Sequence, residues 1–490
     1  MTQTYHYLVT ELQRVKVIND TGEELDLFAA ADGIFKDYEK DILAATTESE
    51  GKIYSDVYNG SGNQIIDLVQ EGGGMWGIAL IGYTYILEKA GLRFNSVAGT
   101  SAGAINTMCL AAIPDDVYKD GTKSKLLTHI IANHDFSDFV DRKPGIIKWL
   151  LTSYIKTSSN IGIKLICFLC WILFSTVLYF IIGGLFFPKD SDSSLIGLKI
   201  ALYVLGSLLA FLPPLVVYWG FKKSLGMKFG LNPGNKARDY IRKVLGCMKI
   251  HTTKDLYDKL QSEVFTASTR TGNGDESIKG SKVTKRIVLI ASNLTHNRIV
   301  KFPERALDYF HNMEVVDPSL FVRASMSIPF FFECVSVDNS LSDRDSGGPG
   351  NIKMSARFVD GGMLSNFPIR EFHNSSKAVP RFPTLGVRLG INEKEDYHST
   401  IKLSKYLGSF LSTFRGFYDN DFIESNEETK AIVKTIETGD ISWLNFSMSK
   451  QDKITLFQNG AKAACEHLKD FDWQAYKFLR NNLYLKNIAK

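Results

Sequence analysis

The chain has 490 residues, 44% of them hydrophobic, which allows a large core and two or three domains. Its 57 Lys and Arg residues against 53 Asp and Glu give a formal charge of +4, so charge alone does not indicate a nucleic-acid partner. Six cysteines without regular spacing argue against a disulfide-stapled scaffold.

Residues 1–64 form a lead-in with a charged helical pattern and a polar, glycine-bearing loop. Residues 65–112 then read as strand, glycine loop, helix, strand, tight turn and helix. The first strand ends at Glu71 and the glycines Gly72, Gly73 and Gly74; the second runs into Gly99-Thr100-Ser101-Ala102-Gly103. This order predicts a βαβα unit of parallel strands, whose two turns open at one edge of the sheet.

The second turn has the pattern G-x-S-x-G, which places Ser101 on a sharp bend at a helix N-terminus. The glycine loop can present backbone N–H groups to an oxyanion. A dinucleotide fingerprint, Gly72-x-Gly74-x-x-Gly77, is the alternative, but it requires an acidic residue at the end of the next strand. That strand ends at the serine turn instead, so the sequence favours nucleophilic catalysis.

Two charge-free stretches, 165–187 and 200–221, flank a polar turn, and each reaches the roughly 20 residues that span a bilayer as a helix. Lysines concentrate outside the pair, which predicts cytoplasmic ends. We therefore expect a transmembrane helical hairpin at 161–222 and a multi-pass, two-span membrane protein with its catalytic domain on the cytoplasmic side. The alternatives are a buried or dimerising helix pair in a soluble protein, or a hairpin embedded in one leaflet.

The predicted catalytic domain is split by this insertion into 65–160 and 223–395, and 396–490 forms a C-terminal helical region. The second part of the predicted catalytic domain carries a buried strand at 286–292 and a short strand that runs into Asp360-Gly361-Gly362. A serine nucleophile needs a base. His373 and His398 follow in the order of an α/β-hydrolase but stand in surface-like sequence, whereas Asp360 ends a strand beside two glycines.

Four segments together resemble the patatin-like phospholipase family. They are Glu71-Gly72-Gly73-Gly74-x-x-Gly77, the turn around Ser101, Arg323-Ala324-Ser325-x-x-Ile328-Pro329, and Asp360-Gly361-Gly362 with Asn366-x-Pro368. The resemblance implies a patatin-like three-layer α/β/α sandwich with a mainly parallel central sheet. The chain departs from the family pattern at Glu71, where aspartate is usual, and at Trp76, where arginine or lysine is common.

The resemblance also implies the site. Ser101 is the nucleophile and Asp360 the base of a Ser–Asp dyad, with an oxyanion hole at Gly72, Gly73 and Gly74. The motifs are supported by further glycines: Gly77, Gly99, Gly103, Gly361 and Gly362. Family members look like lipid acyl hydrolases that use neither metal nor other cofactor.

We therefore expect a membrane-associated phospholipase A or lysophospholipase, with membrane lipid as substrate and the bilayer as partner. A neutral-lipid lipase or an acyltransferase shares the chemistry until the acyl acceptor arrives. A membrane-anchored binding protein with an inactive hydrolase fold is the alternative from another class. The sequence does not determine the lipid head group, the acyl position or the oligomeric state.

Overall fold

The computed structural model describes residues 4–18, 27–46, 50–132, 134–141, 229–269, 280–338, 355–374, 377–390 and 418–488, and also the helical positions Thr176, Gly197, Val204 and Gly416. The strands are β1 (Val57–Tyr58), β2 (Gln64–Gln70), β3 (Leu92–Thr100), β4 (Gly230–Asn232), β5 (Phe265–Thr266), β6 (Ser268–Thr269), β7 (Lys282–Val283), β8 (Arg286–Asn293), β9 (Arg298–Phe302), β10 (Phe330–Phe332), β11 (Val335–Asp338), β12 (Ser355–Asp360), β13 (Thr384–Gly390) and β14 (Val433–Glu437). The α-helices are α1 (Thr4–Arg14), α2 (Leu27–Ile42), α3 (Gly77–Lys89), α4 (Ala102–Ala112), α5 (Lys123–Ala132), α6 (Asn235–Cys247), α7 (Thr253–Ser262), α8 (Ser319–Ser325), α9 (Lys450–Asp470) and α10 (Trp473–Ile488).

The central strands of the main sheet are parallel, in the order β14-β13-β2-β3-β8. The strands β2, β3 and β8 are buried along nearly their whole length, as expected for strands covered on both faces. The flanking pairs are antiparallel: β8 with β9 and β12, β12 with β11, and β1 with β2 and β6. The α/β fold is thus confirmed, but the sheet is mixed. Short hairpins join β1 to β2 and β8 to β9, whereas β1 with β6 and β8 with β12 are antiparallel pairs of strands far apart in sequence.

The C-terminal region is built into the domain that carries the serine turn. Strand β14 adds to the sheet beside β13, and α9 packs closely on α3. Glycines permit this close approach: a side chain at Gly82 would meet the backbone of Phe457, and one at Gly460 would meet the backbone of Ala79. Helix α9, within the predicted C-terminal helical region, is therefore part of the core.

The predicted membrane topology is wrong. Throughout the described ranges, the helices are too short or too polar to cross a bilayer, and this finding overturns the two-span localisation with a cytoplasmic catalytic domain. The hairpin predicted at 161–222 finds no support, and its residues lie outside the described ones apart from Thr176, Gly197 and Val204. The absence of charged residues from a stretch shows only that the stretch is hydrophobic. Burial against protein removes hydrophobic surface from water as well as a bilayer does.

Candidate active site

Ser101 occupies a strained bend between β3 and α4. Its φ of 51° and ψ of −114° lie outside the helical and extended regions, and α4 begins at the next residue, Ala102. Gly103 lets α4 pass close to β2: a Cβ there would lie 2.5 Å from the carbonyl oxygen of Gln70. Gly99 is equally crowded, with Thr107 Oγ1 at 2.7 Å from its would-be Cβ. The turn thus has the geometry that the G-x-S-x-G pattern predicts.

The glycine loop lies directly beside this bend. A Cβ on Gly72 would lie 2.5 Å from Asn366 Oδ1 and 3.1 Å from the Cβ of Ser101, so the absence of a side chain permits this close approach. Gly74 has a φ of 53°, which favours glycine. The N–H of Gly72 donates to the carbonyl of Asn366 at 2.9 Å, so this donor of the predicted oxyanion hole is already engaged.

Strand β8 brings the predicted base to the predicted nucleophile. Thr100, next to Ser101, pairs with Ile290, and Asp360 pairs with the following residue, Ala291. Strand β9 occupies one edge of β8 across Leu289–Asn293. Strand β12 must therefore use the other edge, the same one that β3 uses up to Ile290. The C-terminal ends of β3 and β12 thus meet on one edge.

Contacts around Asp360 agree with this register. Its side chain is 4% exposed, and its Oδ1 accepts the N–H of Gly362 at 2.7 Å. A Cβ on Gly361 would lie 2.9 Å from Thr100 Cγ2, which shows how closely the two turns approach. The backbone N–H of Asp360 donates to the carbonyl of Ser327 at 2.8 Å. The structure therefore gathers Ser101, Asp360 and the glycine loop at one sheet edge.

Glu71 and Trp76, the two departures from the family pattern, both fasten the glycine loop. Glu71 is 7% exposed; its carboxylate accepts Asn366 Nδ2 at 3.1 Å and the N–H of Leu389 at 2.6 Å. The indole Nε1 of Trp76 donates to the carbonyl of Ile441 at 2.7 Å. These contacts hold the loop by hydrogen bonds to its neighbours, and Arg388 Nε forms an ion pair with the Glu71 carboxylate at 3.9 Å.

Two residues of the segment R-A-S-x-x-I-P form hydrogen bonds with backbone groups, and the sequence did not predict these roles. The hydroxyl of Ser325, fully buried, accepts the backbone N–H of Ser101 at 3.0 Å. Arg323 is also buried; its guanidinium donates to the carbonyls of Pro233 and Glu333 at 2.7 and 2.8 Å, and burial lowers its pKa to about 10. A motif marks such positions, but only the fold shows which backbone groups they hold.

An apolar cleft opens at Ser101. Its cavity volume is about 50 Å³, within a larger space that is open to solvent. Apart from the glycines and Asn106, its walls are mainly aliphatic and aromatic: Met75, Ile78, Ile105, Ile131, Phe136, Phe139, Met326, Ile328, Phe332 and Phe446. Such a lining suits a hydrocarbon chain, because transfer of apolar surface out of water is favourable at about 25 cal/mol per Å².

Of the two candidate histidines, the structure describes His373, which has partners other than the serine. His373 contacts Arg480, whose Nη1 lies 2.9 Å from Nδ1, and packs edge-on against Phe422. Burial and Arg480 lower its pKa, and it is not among the residues that line the cleft. His398 lies outside the described residues.

The comparisons with known proteins agree with the motifs. A model of the patatin-like phospholipase family matches residues 68–373. The uncharacterized protein YqhO of Bacillus subtilis (strain 168) is 26% identical over 409 residues, which is 83% of this chain and 99% of the relative.

Two solved structures resemble the chain more loosely. VipD from Legionella pneumophila is 15% identical, with a TM-score of 0.38 over 88% of this chain and 72% of that one. The type III effector protein ExoU is 17% identical, with a TM-score of 0.31 over 86% of this chain and 54% of that one. Since the family model spans more than half of the sequence, the chain belongs to the patatin-like phospholipase family, whose domain implies lipid acyl hydrolase activity.

Proposed function

We propose that the protein is a serine esterase of the phospholipase A or lysophospholipase type, which cleaves fatty acyl esters through an acyl-enzyme on Ser101. The observation that carries the proposal is the strained serine in the wall of an apolar cleft. A nucleophile in that position can attack an ester carbonyl while the acyl chain occupies the cleft.

Asp360 is the proposed base. It ends the strand that meets β3 on one edge of β8, and it is nearly inaccessible to water. In the first step Ser101 Oγ attacks the carbonyl and Asp360 takes its proton, which passes to the leaving lyso-lipid alcohol. In the second step water attacks the acyl-enzyme and gives a proton to Asp360. Fatty acid leaves, and the proton returns to Ser101.

The glycine loop is the proposed oxyanion hole. Because the N–H of Gly72 already donates to Asn366, we assign the donors to Gly73 and Gly74. Gly72 instead provides the space in which the serine approaches the loop. Removal of one oxyanion donor typically costs about 3–4 kcal/mol of transition-state stabilisation, so two such groups suffice for a large effect.

The test is release of free fatty acid from phosphatidylcholine and lysophosphatidylcholine vesicles, with triacylglycerol emulsion in parallel. We expect activity on the phospholipids, and a loss of about 10³-fold or more in Ser101→Ala and Asp360→Asn. Preference for the emulsion would replace the phospholipase assignment with a neutral-lipid lipase. Acyl transfer to an added alcohol in place of water would indicate an acyltransferase. Absence of activity and of fluorophosphonate labelling would indicate an inactive binding protein.

A further inference from the structure

A buried carboxylate far along the chain holds the loop that follows Asp360. Asp419 belongs to the helical segment 418–425 and is 3% exposed. Its Oδ1 accepts the hydroxyl of Ser365 at 2.7 Å, and its Oδ2 accepts the N–H of Phe367 at 2.8 Å. One side chain thus fixes two points of the loop 361–368.

The same loop touches all three parts of the proposed machinery. It begins at Gly361, directly after the base. The carbonyl of Ser365 accepts Thr100 Oγ1 at 3.1 Å, next to the nucleophile. Asn366 bonds to the backbone of Gly72 in the oxyanion loop. A shift of this loop would therefore move the base and the oxyanion loop relative to the serine.

Stability alone is a poor explanation for Asp419. Burial raises the pKa of its carboxyl to about 6, and Glu71 adds to the rise. The ionised form of Asp419 therefore costs electrostatic free energy at this position. Even a whole buried ion pair can often be replaced by apolar residues without loss of stability, so a buried charge is weak evidence for a stabilising role. At neutral pH the carboxylate is ionised and accepts from both donors, and its hydrogen bonds oppose that rise.

We propose that Asp419 is a positioning residue for the Ser101–Asp360 dyad, acting through the hydrogen bonds of Ser365 and Phe367; this inference rests on the proposed function. Asp419 does not line the apolar cleft. Its removal should therefore lower kcat, through misplacement of the reacting groups, and leave KM for the acyl substrate nearly unchanged. Misplacement by about 1 Å can cost about 100-fold in rate.

Asp67 provides a matched control. It is a buried acid of β2, its Oδ1 accepts the N–H of Ser96 at 2.9 Å, and burial raises its pKa to about 6. Asp67→Asn therefore perturbs a similar carboxylate whose partners lie outside the loop 361–368. The experiment measures kcat and KM for a soluble long-chain ester, together with the unfolding midpoint, in wild type, Asp419→Ala, Asp419→Asn and Asp67→Asn.

We expect kcat to fall about 10- to 100-fold in Asp419→Ala, with KM within about 2-fold. Asp419→Asn should recover part of that loss, because its amide oxygen still accepts one bond. A folded Asp419→Ala with wild-type kcat would overturn the inference, as would an equal fall in Asp67→Asn. An inactive wild type would instead overturn the proposed function and the inference with it.

Discussion

Gly72 and Asn366 are joined by a reciprocal pair of hydrogen bonds. The N–H of Gly72 donates to the carbonyl of Asn366 at 2.9 Å, and Nδ2 of Asn366 donates back to the carbonyl of Gly72 at 2.9 Å. The two residues are 294 positions apart, on the glycine loop and on the loop after Asp360. The two loops of the proposed catalytic site are therefore joined to each other directly as well as through the sheet.

Asn366→Ala removes the side-chain half of this pair and the bond to Glu71. We expect kcat for an ester substrate to fall about 10- to 100-fold, because the glycine loop loses its register with Asp360. Steady-state kinetics provide the measurement. Asn459→Ala is the control, since Asn459 also donates to a backbone carbonyl, at a partly exposed position outside the site. Wild-type kinetics in Asn366→Ala would contradict the role of the pair.

Gly103→Ala should destabilise the fold at the serine turn. The added methyl group would lie 2.5 Å from the carbonyl oxygen of Gln70, and such overpacking costs about 1–3 kcal/mol. Gly33→Ala is the opposite case, because Gly33 lies within α2 and has nothing within 4 Å of its would-be Cβ. We expect Gly33→Ala to stabilise the protein by up to about 1 kcal/mol. Urea unfolding measures both changes, and equal effects in the two variants would refute the packing argument.

His467 should make the fold sensitive to acid. Burial, helped by Lys434, lowers its pKa from 6.5 to about 4, while its Nδ1 bonds to the hydroxyl of Tyr83 at 2.5 Å. A folded pKa below the unfolded one means that the stability is fully present above pH 6.5 and is lost as the pH falls towards 4. The shift corresponds to about 3 kcal/mol.

The measurement is the free energy of unfolding at pH 7 and at pH 4.5. We expect His467→Gln to lose less stability between these two values than the wild type. His6→Gln, at an exposed position, is the control and should keep the wild-type slope. An unchanged pH dependence in His467→Gln would show that His467 is not the responsible group.

Ile105→Phe tests whether the cleft holds the acyl chain. Ile105 lies one turn after the nucleophile, and its N–H donates to the carbonyl of Ser101 at 3.1 Å. The larger ring should block part of the cleft and reduce kcat/KM for long-chain esters about 10-fold or more, while acetyl or butyryl esters change by about 2-fold or less. Parallel loss for all chain lengths would point to general distortion instead.

The sequence predicted the two turns and their common edge because local chemistry determines them. The glycines Gly72, Gly99 and Gly103 indicated where the backbone comes close to other groups, and parallel strands bring such turns together. Ser325 and Asp419 were not predictable, since their partners are backbone groups or hydroxyls that only tertiary packing brings near. The short border strands β1, β6 and β11 were missed because strands of two to four residues have little periodicity to read.

The most direct test of the proposed mechanism is labelling of Ser101 by a fluorophosphonate, followed by mass spectrometry of the labelled peptide. The proposed mechanism predicts stoichiometric modification at Ser101, none in Ser101→Ala, and labelling at least about 100-fold slower in Asp360→Asn. Labelling of another residue, or an undiminished rate in Asp360→Asn, would contradict the dyad.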